Sequence, residues 1–176
     1  MLSGYEQWAK VFNIKQAAKT VMFLQENDLT DYDKLSEQSA EASKTFHDLS
    51  AQIKVRDTRC RKIKELQKYI KQYRDTKDVF AEYKKQKYSK KYYEAHESDI
   101  LLHRAAKNYF NENNITKLPS AQSLRQEYAQ LDAERKKMYP EYKAAKEKWA
   151  KLATAKANTD RLLQPELPRK NKGMER

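Results

Sequence analysis

The chain has 176 residues and a net charge of +12, and 35% of its residues are charged. It contains only two glycines and four prolines, and residues 5–118 contain neither, which argues against a sandwich, a barrel or a Rossmann-type sheet joined by tight turns. The composition therefore predicts an all-α fold in which long helices bury a narrow apolar seam.

The single cysteine, Cys60, allows neither an internal disulfide nor a cysteine-based zinc site. The first residues have no basic and apolar leader, and the longest apolar run, residues 21–24, is too short to cross a membrane. We therefore expect a cytoplasmic protein with no membrane insertion, no cofactor and no bound metal.

Residues 3–27 are predicted to form the first helix, with Ser3 as its N-cap. Residues 27–30 interrupt the pattern, and Thr30 is the expected cap of the next helix. The predicted apolar side of the first helix consists of Tyr5, Trp8, Phe12, Ala18, Met22 and Leu24.

Residues 31–87 are predicted to form one long second helix with a seam of the coiled-coil type. Arg56 and Gln67 interrupt this seam with polar groups, and Cys60 is interpreted as a small core residue rather than a nucleophile. The seam positions are Ala42, Phe46, Leu49, Ile53, Arg56, Cys60, Ile63, Gln67 and Ile70.

Residues 89–113 are predicted to form a third, shorter helix. His96 and His103 lie seven residues apart on it, so they share a face but are about two turns apart, too far to bind one metal ion. We expect these histidines to be exposed or at the edge of a seam. The predicted apolar side consists of Tyr93, Ile100, Leu101, Ala105 and Phe110.

Residues 120–163 are predicted to form a fourth helix, whose apolar spacing continues through Pro140 and indicates one kinked helix rather than two. Residues 1–163 then form a single elongated domain, an antiparallel coiled-coil-like helical hairpin with additional shorter helices. Residues 164–176 are predicted to be a disordered basic tail. The oligomeric state stays open, because the same seams can pair within one chain or between chains.

The positive charge is concentrated in residues 54–91, which hold 15 Lys and Arg against 5 Asp and Glu. Lysines interleave with tyrosines at the end of this segment, a pattern that suits phosphates and unpaired bases. The alternative interpretation is a solvated helix end whose tyrosines cover the core. The predicted nucleic-acid-binding residues are Lys84, Lys85, Lys87, Tyr88, Lys90, Lys91 and Tyr92.

Several segments of residues 4–163 resemble the helical C-terminal region of relaxases, the mobilisation nucleases of conjugative elements in Gram-positive bacteria. The resemblance implies a non-catalytic accessory module in conjugative DNA mobilisation, with DNA and relaxosome proteins as partners. In that family the nuclease lies N-terminal to this region, and its motifs are absent here, so no catalytic residue carries over. The matching segments include Tyr5-x-x-Trp8-Ala9-x-x-Phe12, Thr76-Lys77-Asp78-Val79-Phe80 and Lys156-Ala157-Asn158-x-Asp160-Arg161.

Two other functions are kept open beside DNA binding. The exposed face of residues 120–163 could dock a relaxosome or secretion partner, which would make the chain a protein–protein scaffold. A mobile element could also use the chain as an inhibitor of a host nuclease. An enzyme is not expected, because no histidine cluster, phosphate-binding glycine loop or metal motif occurs in the sequence.

Overall fold

A computed structural model describes the backbone of residues 4–163 and the side chains of residues 11–163. This part of the chain contains helices and no strand, which confirms the all-α prediction. None of its helices has the length and apolar character that crossing a bilayer requires. The helices are α1 (Gly4–Glu26), α2 (Tyr32–Asp75), α3 (Lys77–Lys85), α4 (Lys90–Ala95), α5 (Glu97–Glu112) and α6 (Ala121–Leu163).

Some predictions fall outside this range. The cap at Ser3, the burial of Tyr5 and Trp8, and the tail of residues 164–176 lie beyond the residues whose placement the structure describes. The elongated hairpin as a whole also stays a prediction. α6, by contrast, continues through Pro140 without a break, in agreement with its apolar spacing.

The chain divides into two compact units, named here unit 1 (Met1–Ser50 with Tyr139–Arg176) and unit 2 (Ala51–Met138). In unit 1, Phe46 of α2 stacks on Trp149 of α6 with ring centroids 4.6 Å apart. The hydroxyl of Tyr32 donates to the Asp160 carboxylate at 2.7 Å, so α2 and α6 run antiparallel in this unit. The core beneath them consists of Leu29, Leu35, Ala42, Leu152 and Ala155.

Unit 2 joins its own segments of α2 and α6 with ion pairs rather than aromatic rings. Arg56 contacts Glu134 at 3.0 Å, and Arg59 donates two guanidinium N–H groups to Glu127. The predicted seam of α2 lies inside, and Cys60 is buried in it as expected. α5 closes the core, which consists of Ile63, Leu66, Ile70, Ala106, Phe110 and Leu124.

Two helices predicted as continuous are each divided in the structure. The helix of residues 31–87 is interrupted at Thr76, whose hydroxyl donates back to the Gln72 carbonyl at 2.7 Å. The helix of residues 89–113 is interrupted at His96, whose N–H is shared by the carbonyls of Tyr92 and Tyr93 at 3.1 Å each. Neither break carries a glycine or proline, so the usual sequence signals were absent.

The cap of α2 also differs from the prediction. The Asp31 carboxylate accepts the backbone N–H of Lys34 at 3.0 Å, and this takes the role assigned to Thr30. α6 begins at Ala121, one residue from the predicted start, and the Ser120 hydroxyl caps it by accepting the N–H of Ser123 at 3.0 Å. Ser89 stands at the N-cap of α4, but its side chain makes no capping bond.

The buried faces of the shorter helices were predicted only in part. On α5, Leu101 and Ala105 are exposed, while His103 and Ala106 are buried in their place beside Ile100 and Phe110. The expectation of an exposed or edge-of-seam His103 is therefore wrong. On α1, the predicted apolar residues Phe12, Ala18 and Met22 are exposed, and Thr20 is buried instead.

Candidate nucleic-acid interface

The lysine–tyrosine run of unit 2 spans the end of α3, a tight turn and the start of α4. Its turn holds Lys87 and Tyr88 in the left-handed region, at φ values of 53° and 63°. Non-glycine residues are disfavoured there by about 1 kcal/mol or more each. The Tyr88 N–H bonds back to the Tyr83 carbonyl at 3.0 Å, which ends α3 and fixes the turn. We call residues 83–93 the Lys/Tyr patch.

All five predicted lysines of the Lys/Tyr patch are exposed. Two of them have acidic neighbours: Lys85 lies 3.6 Å from Glu82, and Lys90 lies 3.8 Å from Glu94. Each pair lies on the surface of a single helix, and such pairs contribute only a few tenths of a kcal/mol to stability. They leave the ammonium groups free to exchange a carboxylate for a phosphate.

The other three lysines have no ion pair within the described part of the chain. Lys84 lies with its ammonium group 5.4 Å from the centre of the Phe80 ring. Lys87 and Lys91 extend from the turn and from α4 into solvent. The patch therefore carries more cations than the carboxylates beside it neutralise, which is the arrangement that attracts a polyanion.

The tyrosines behave differently from the lysines, because they mainly contact one another. Tyr83 is 6% exposed and forms the centre of a ring cluster. The rings of Tyr88, Tyr92 and Tyr93 surround it at centroid distances of 5.2, 6.3 and 6.0 Å. The alternative interpretation of the sequence, tyrosines that cover the core, thus describes Tyr83 well.

The two tyrosines predicted to bind nucleic acid are not equally open. Tyr92 is half-buried, and its ring lies 4.3 Å from that of His96. Tyr88 is 56% exposed and meets Tyr83 at an interplanar angle of 86°, an edge-to-face contact. Tyr88 therefore has the larger free surface on which an unpaired base could stack.

Beneath the patch lies a buried histidine for which the sequence pattern predicts an exposed or edge position. His103 is 4% exposed, and its ring stacks between Phe80 at 4.2 Å and Tyr73 at 4.7 Å. Its Nδ1 lies 3.1 Å from the Thr76 hydroxyl. Because that hydroxyl gives its proton to Gln72, we infer that Nδ1 carries the hydrogen and donates it to Thr76.

Burial lowers the pKa of His103, and the nearby positive charges of Lys107 and Lys84 lower it further. The ring is therefore neutral near pH 7, which suits a group enclosed by aromatic rings. His103 supports the patch by joining α5 to the break between α2 and α3. It offers no nucleophile or base at the surface.

A second cationic surface lies between the end of α2 and the start of α6 within unit 2. It is a groove of about 480 Å³, with Ile70 and Leu124 on its apolar side. Lys71, Arg74 and Arg125 line it, and none of the three makes an ion pair within the described residues. Asp75 is the carboxylate in its lining. We call this surface the α2–α6 groove.

Sequence reasoning missed the α2–α6 groove, although part of the signal was present. Lys71 and Arg74 are three residues apart, so they lie on one side of α2. Arg125 could not be assigned to this surface without the tertiary structure, because it comes from a different helix.

The described residues contain no cluster suited to a metal ion. No group of three or more His, Cys, Asp or Glu side chains that could hold one occurs among them. Comparison of the chain with protein-family models, with curated proteins and with solved structures finds no match.

Proposed function

We propose that the chain binds DNA through the Lys/Tyr patch of unit 2, as a non-catalytic accessory module in conjugative DNA mobilisation. The observation that carries the proposal is the set of five exposed lysines within eight residues, paired among the described residues only with Glu82 and Glu94. Unit 2 as a whole holds 22 Lys and Arg against 12 Asp and Glu. The relaxase resemblance supports the setting in mobilisation.

Binding on this surface would be driven by phosphate neutralisation. Each lysine that contacts a phosphate releases condensed counterions from the DNA, so affinity should fall steeply as salt is added. The cations of the α2–α6 groove belong to the same unit and add to its attraction for the backbone. This mode of binding needs no base-specific contact, and we expect little sequence preference.

In this proposal, Tyr88 allows the chain to distinguish single-stranded from duplex DNA. Stacking of a base on a tyrosine contributes about 1–3 kcal/mol, and it requires a base that is free of its partner strand. Changing Tyr88 to Ala should therefore weaken binding of single-stranded DNA about tenfold and leave duplex binding nearly unchanged. An equal reduction on both would assign Tyr88 a structural role only.

The test is a titration of fluorescently labelled single-stranded and duplex DNA at low and at physiological salt. We expect binding at low salt that weakens markedly at the higher concentration. Changing Lys84, Lys85, Lys87, Lys90 and Lys91 to Glu should remove at least about 99% of the affinity, since each lysine contributes to phosphate neutralisation. Absence of binding by the unmodified chain at low salt would contradict the proposal.

The matched control reverses the same number of exposed lysines in unit 1. The control residues are Lys44, Lys143, Lys146, Lys148 and Lys151. The two variants have the same net charge, so a difference between them reports the position of the charges rather than their sum. Equal reductions of affinity in both variants would show attraction by net charge alone, which is incompatible with a binding patch. Circular dichroism checks that both variants retain their helices.

A further inference from the structure

A second cavity of unit 2 continues the α2–α6 groove along the same two helices. It has a volume of about 310 Å³ and is lined by α2 residues between positions 57 and 64 and by Tyr128 and Arg135 of α6. The α2–α6 groove is lined by α2 residues between 67 and 75 and by α6 residues between 121 and 125. Because α2 and α6 run antiparallel in unit 2 as well, the two cavities follow one another. We call them together the α2–α6 track.

Five cations of the track lack a carboxylate partner in the part of the chain that the structure describes. All five side chains are exposed. Asp57, in the lining of the second cavity, is already paired with Arg135 at 2.6 Å, which leaves Asp75 as the carboxylate that opposes them. The track therefore holds an excess of positive charge that only an outside anion can neutralise. The five cations are Arg61, Lys64, Lys71, Arg74 and Arg125.

The opposite side of the same helix pair is neutralised by its own residues. Arg59 and Glu127 form an ion pair there. Arg59 is two residues from Arg61, so the two side chains point about 200° apart around the axis of α2. Glu127 is likewise two residues from Arg125 on α6. The free cations and the paired ones thus lie on different sides of the two helices.

α5 packs on α2 away from the track. The Tyr69 ring of α2 stacks on Tyr109 of α5 with the centroids 4.1 Å apart. Tyr69 and Lys71 are two residues apart and so also point about 200° apart. Lys64 and Lys71 are seven residues apart and share one side of α2. The track is therefore the exposed side of this helix pair.

The floor of the track offers little apolar surface to a ligand. Ile70 and Leu124 are only 4% and 3% exposed, because both belong to the core of unit 2. Cys60 in the second cavity is buried as well. An amphipathic helix of a partner protein docks by inserting apolar anchors into an apolar groove, and this floor is already enclosed. A ligand held through its charge fits the track better.

We propose that the α2–α6 track binds the phosphate backbone of a single DNA strand, as a second site beside the Lys/Tyr patch; the kind of polyanion rests on the proposed function. Arg61 and Arg74 are 13 residues apart on α2, which is about 20 Å along the helix and matches about six stacked nucleotides. The axes of packed helices lie about 8–10 Å apart, so the crevice between them admits one strand rather than a duplex.

The test is photo-cross-linking of a single strand of about six nucleotides to the unmodified chain at low salt, followed by peptide mapping. We expect two separate sets of cross-links, one on peptides with Arg125 or Tyr128 and one on peptides with Tyr88. Cross-links confined to the Lys/Tyr patch would overturn this inference and leave the proposed function in place. Cross-links confined to the track would support the inference and contradict the proposed patch.

A charge-reversal variant tests the cations themselves. Changing the five cations of the track to Glu should remove at least about 90% of the track cross-links, because each cation neutralises a phosphate, and should leave those of the patch. The matched control is the unit 1 variant described above, which has the same net charge. If it loses the track cross-links equally, net charge alone attracts the strand and the proposal is wrong. Changing the five cations to Gln gives the same test without new carboxylates, and circular dichroism checks the helices of each variant.

Competition with polyglutamate of the same charge as the strand tests the other class of partner, an acidic protein segment. Tyr128 presents a half-buried ring in the second cavity, with which a base can make contact but a glutamate cannot stack. Unlabelled strand should therefore displace the track cross-links at least about fivefold more readily than polyglutamate. Equal displacement would assign the track to an acidic protein segment and overturn the proposal.

Discussion

The two units use the same pair of helices, α2 and α6, but present different chemistry to their surroundings. Unit 2 holds 22 Lys and Arg against 12 Asp and Glu, and its apolar residues are mostly enclosed by α5. Unit 1 holds 15 against 13, and its added helix, α1, exposes an apolar stripe. The same pair of helices thus carries a cluster of exposed lysines in one unit and an exposed apolar helix side in the other.

The contacts that join α2 to α6 also differ between the two units. Unit 1 joins them by the stack of Phe46 on Trp149, whereas unit 2 uses the Arg56–Glu134 and Arg59–Glu127 pairs. Exposed ion pairs contribute little, so the stability of unit 2 must come mainly from its buried core. The strongest test of this difference is therefore to truncate a core residue in one unit at a time.

The largest expected effect comes from Ile63→Ala in unit 2 or Leu35→Ala in unit 1. Both side chains are fully buried, and such truncations lower the free energy of unfolding by about 2–5 kcal/mol. Both tryptophans of the chain lie in unit 1, so their fluorescence follows that unit alone. We expect urea to shift the fluorescence transition more for Leu35→Ala than for Ile63→Ala.

Hydrogen exchange of residues 51–138 provides the complementary measurement for unit 2. Protection there should fall more for Ile63→Ala than for Leu35→Ala. Equal shifts of both probes in both variants would show that the two units unfold as one, and the comparison would then hold for their surfaces but not for their stability.

The core of unit 2 was largely predictable from the sequence, and the reasons for the errors are local. The seam through Ile53, Ile63 and Ile70 has a clear helical period, and these residues are buried as expected. The break at Thr76 depends on a hydroxyl that donates to the backbone and contacts His103, which lies 27 residues away in sequence on another helix. No periodicity contains that information.

The candidate site shows the same limit. The exposure of the five lysines of the Lys/Tyr patch was predictable, because lysine side chains are rarely buried in a protein. The separate environments of Tyr83 and Tyr88 were not, because the turn at Lys87 and Tyr88 decides which ring points inward. For α1, the sequence pattern predicts only part of the exposed apolar side, and it predicts that this side is buried. Its exposure depends on the contact of Thr20 with Asn158.

A smaller effect should appear when the pH is lowered. Burial and the charges of Lys107 and Lys84 lower the pKa of His103 in the folded chain, so the unfolded chain binds the proton more readily. The stabilisation is present above the unfolded pKa of about 6.5 and is lost as the pH falls toward the folded value. His103→Gln should flatten the acid side of the stability profile of unit 2.

The measurement is urea unfolding from about pH 7.5 to about pH 5, a range that spans the histidine pKa, followed by hydrogen exchange or circular dichroism. His47 is exposed on α2 in unit 1, and His47→Gln is the matched control, with a profile like that of the unmodified chain. If His103→Gln keeps the full acid sensitivity, the account of the buried neutral ring is incorrect.

The smallest expected effect is a gain in stability from Lys87→Gly. Lys87 has a φ of 53°, a conformation that glycine adopts without the steric conflict of a Cβ atom. Relief of that conflict should raise the free energy of unfolding by up to about 1 kcal/mol, measured by thermal or urea unfolding. Gln86→Gly, at a φ of −81°, should lower it and serves as the control. A decrease of stability in Lys87→Gly would contradict the geometry of this turn.

The most direct test of the central claim is the salt dependence of DNA affinity for the unmodified chain and for a variant with Lys84, Lys85, Lys87, Lys90 and Lys91 changed to Ala. For each lysine that no longer neutralises a phosphate, the slope of log K against log salt should fall by about 0.9 on duplex DNA and about 0.7 on a single strand. If all five lysines contact phosphates, the variant's slope should be shallower by about 3.5 to 4.5. Equal slopes for the two proteins would contradict the claim that the Lys/Tyr patch binds DNA.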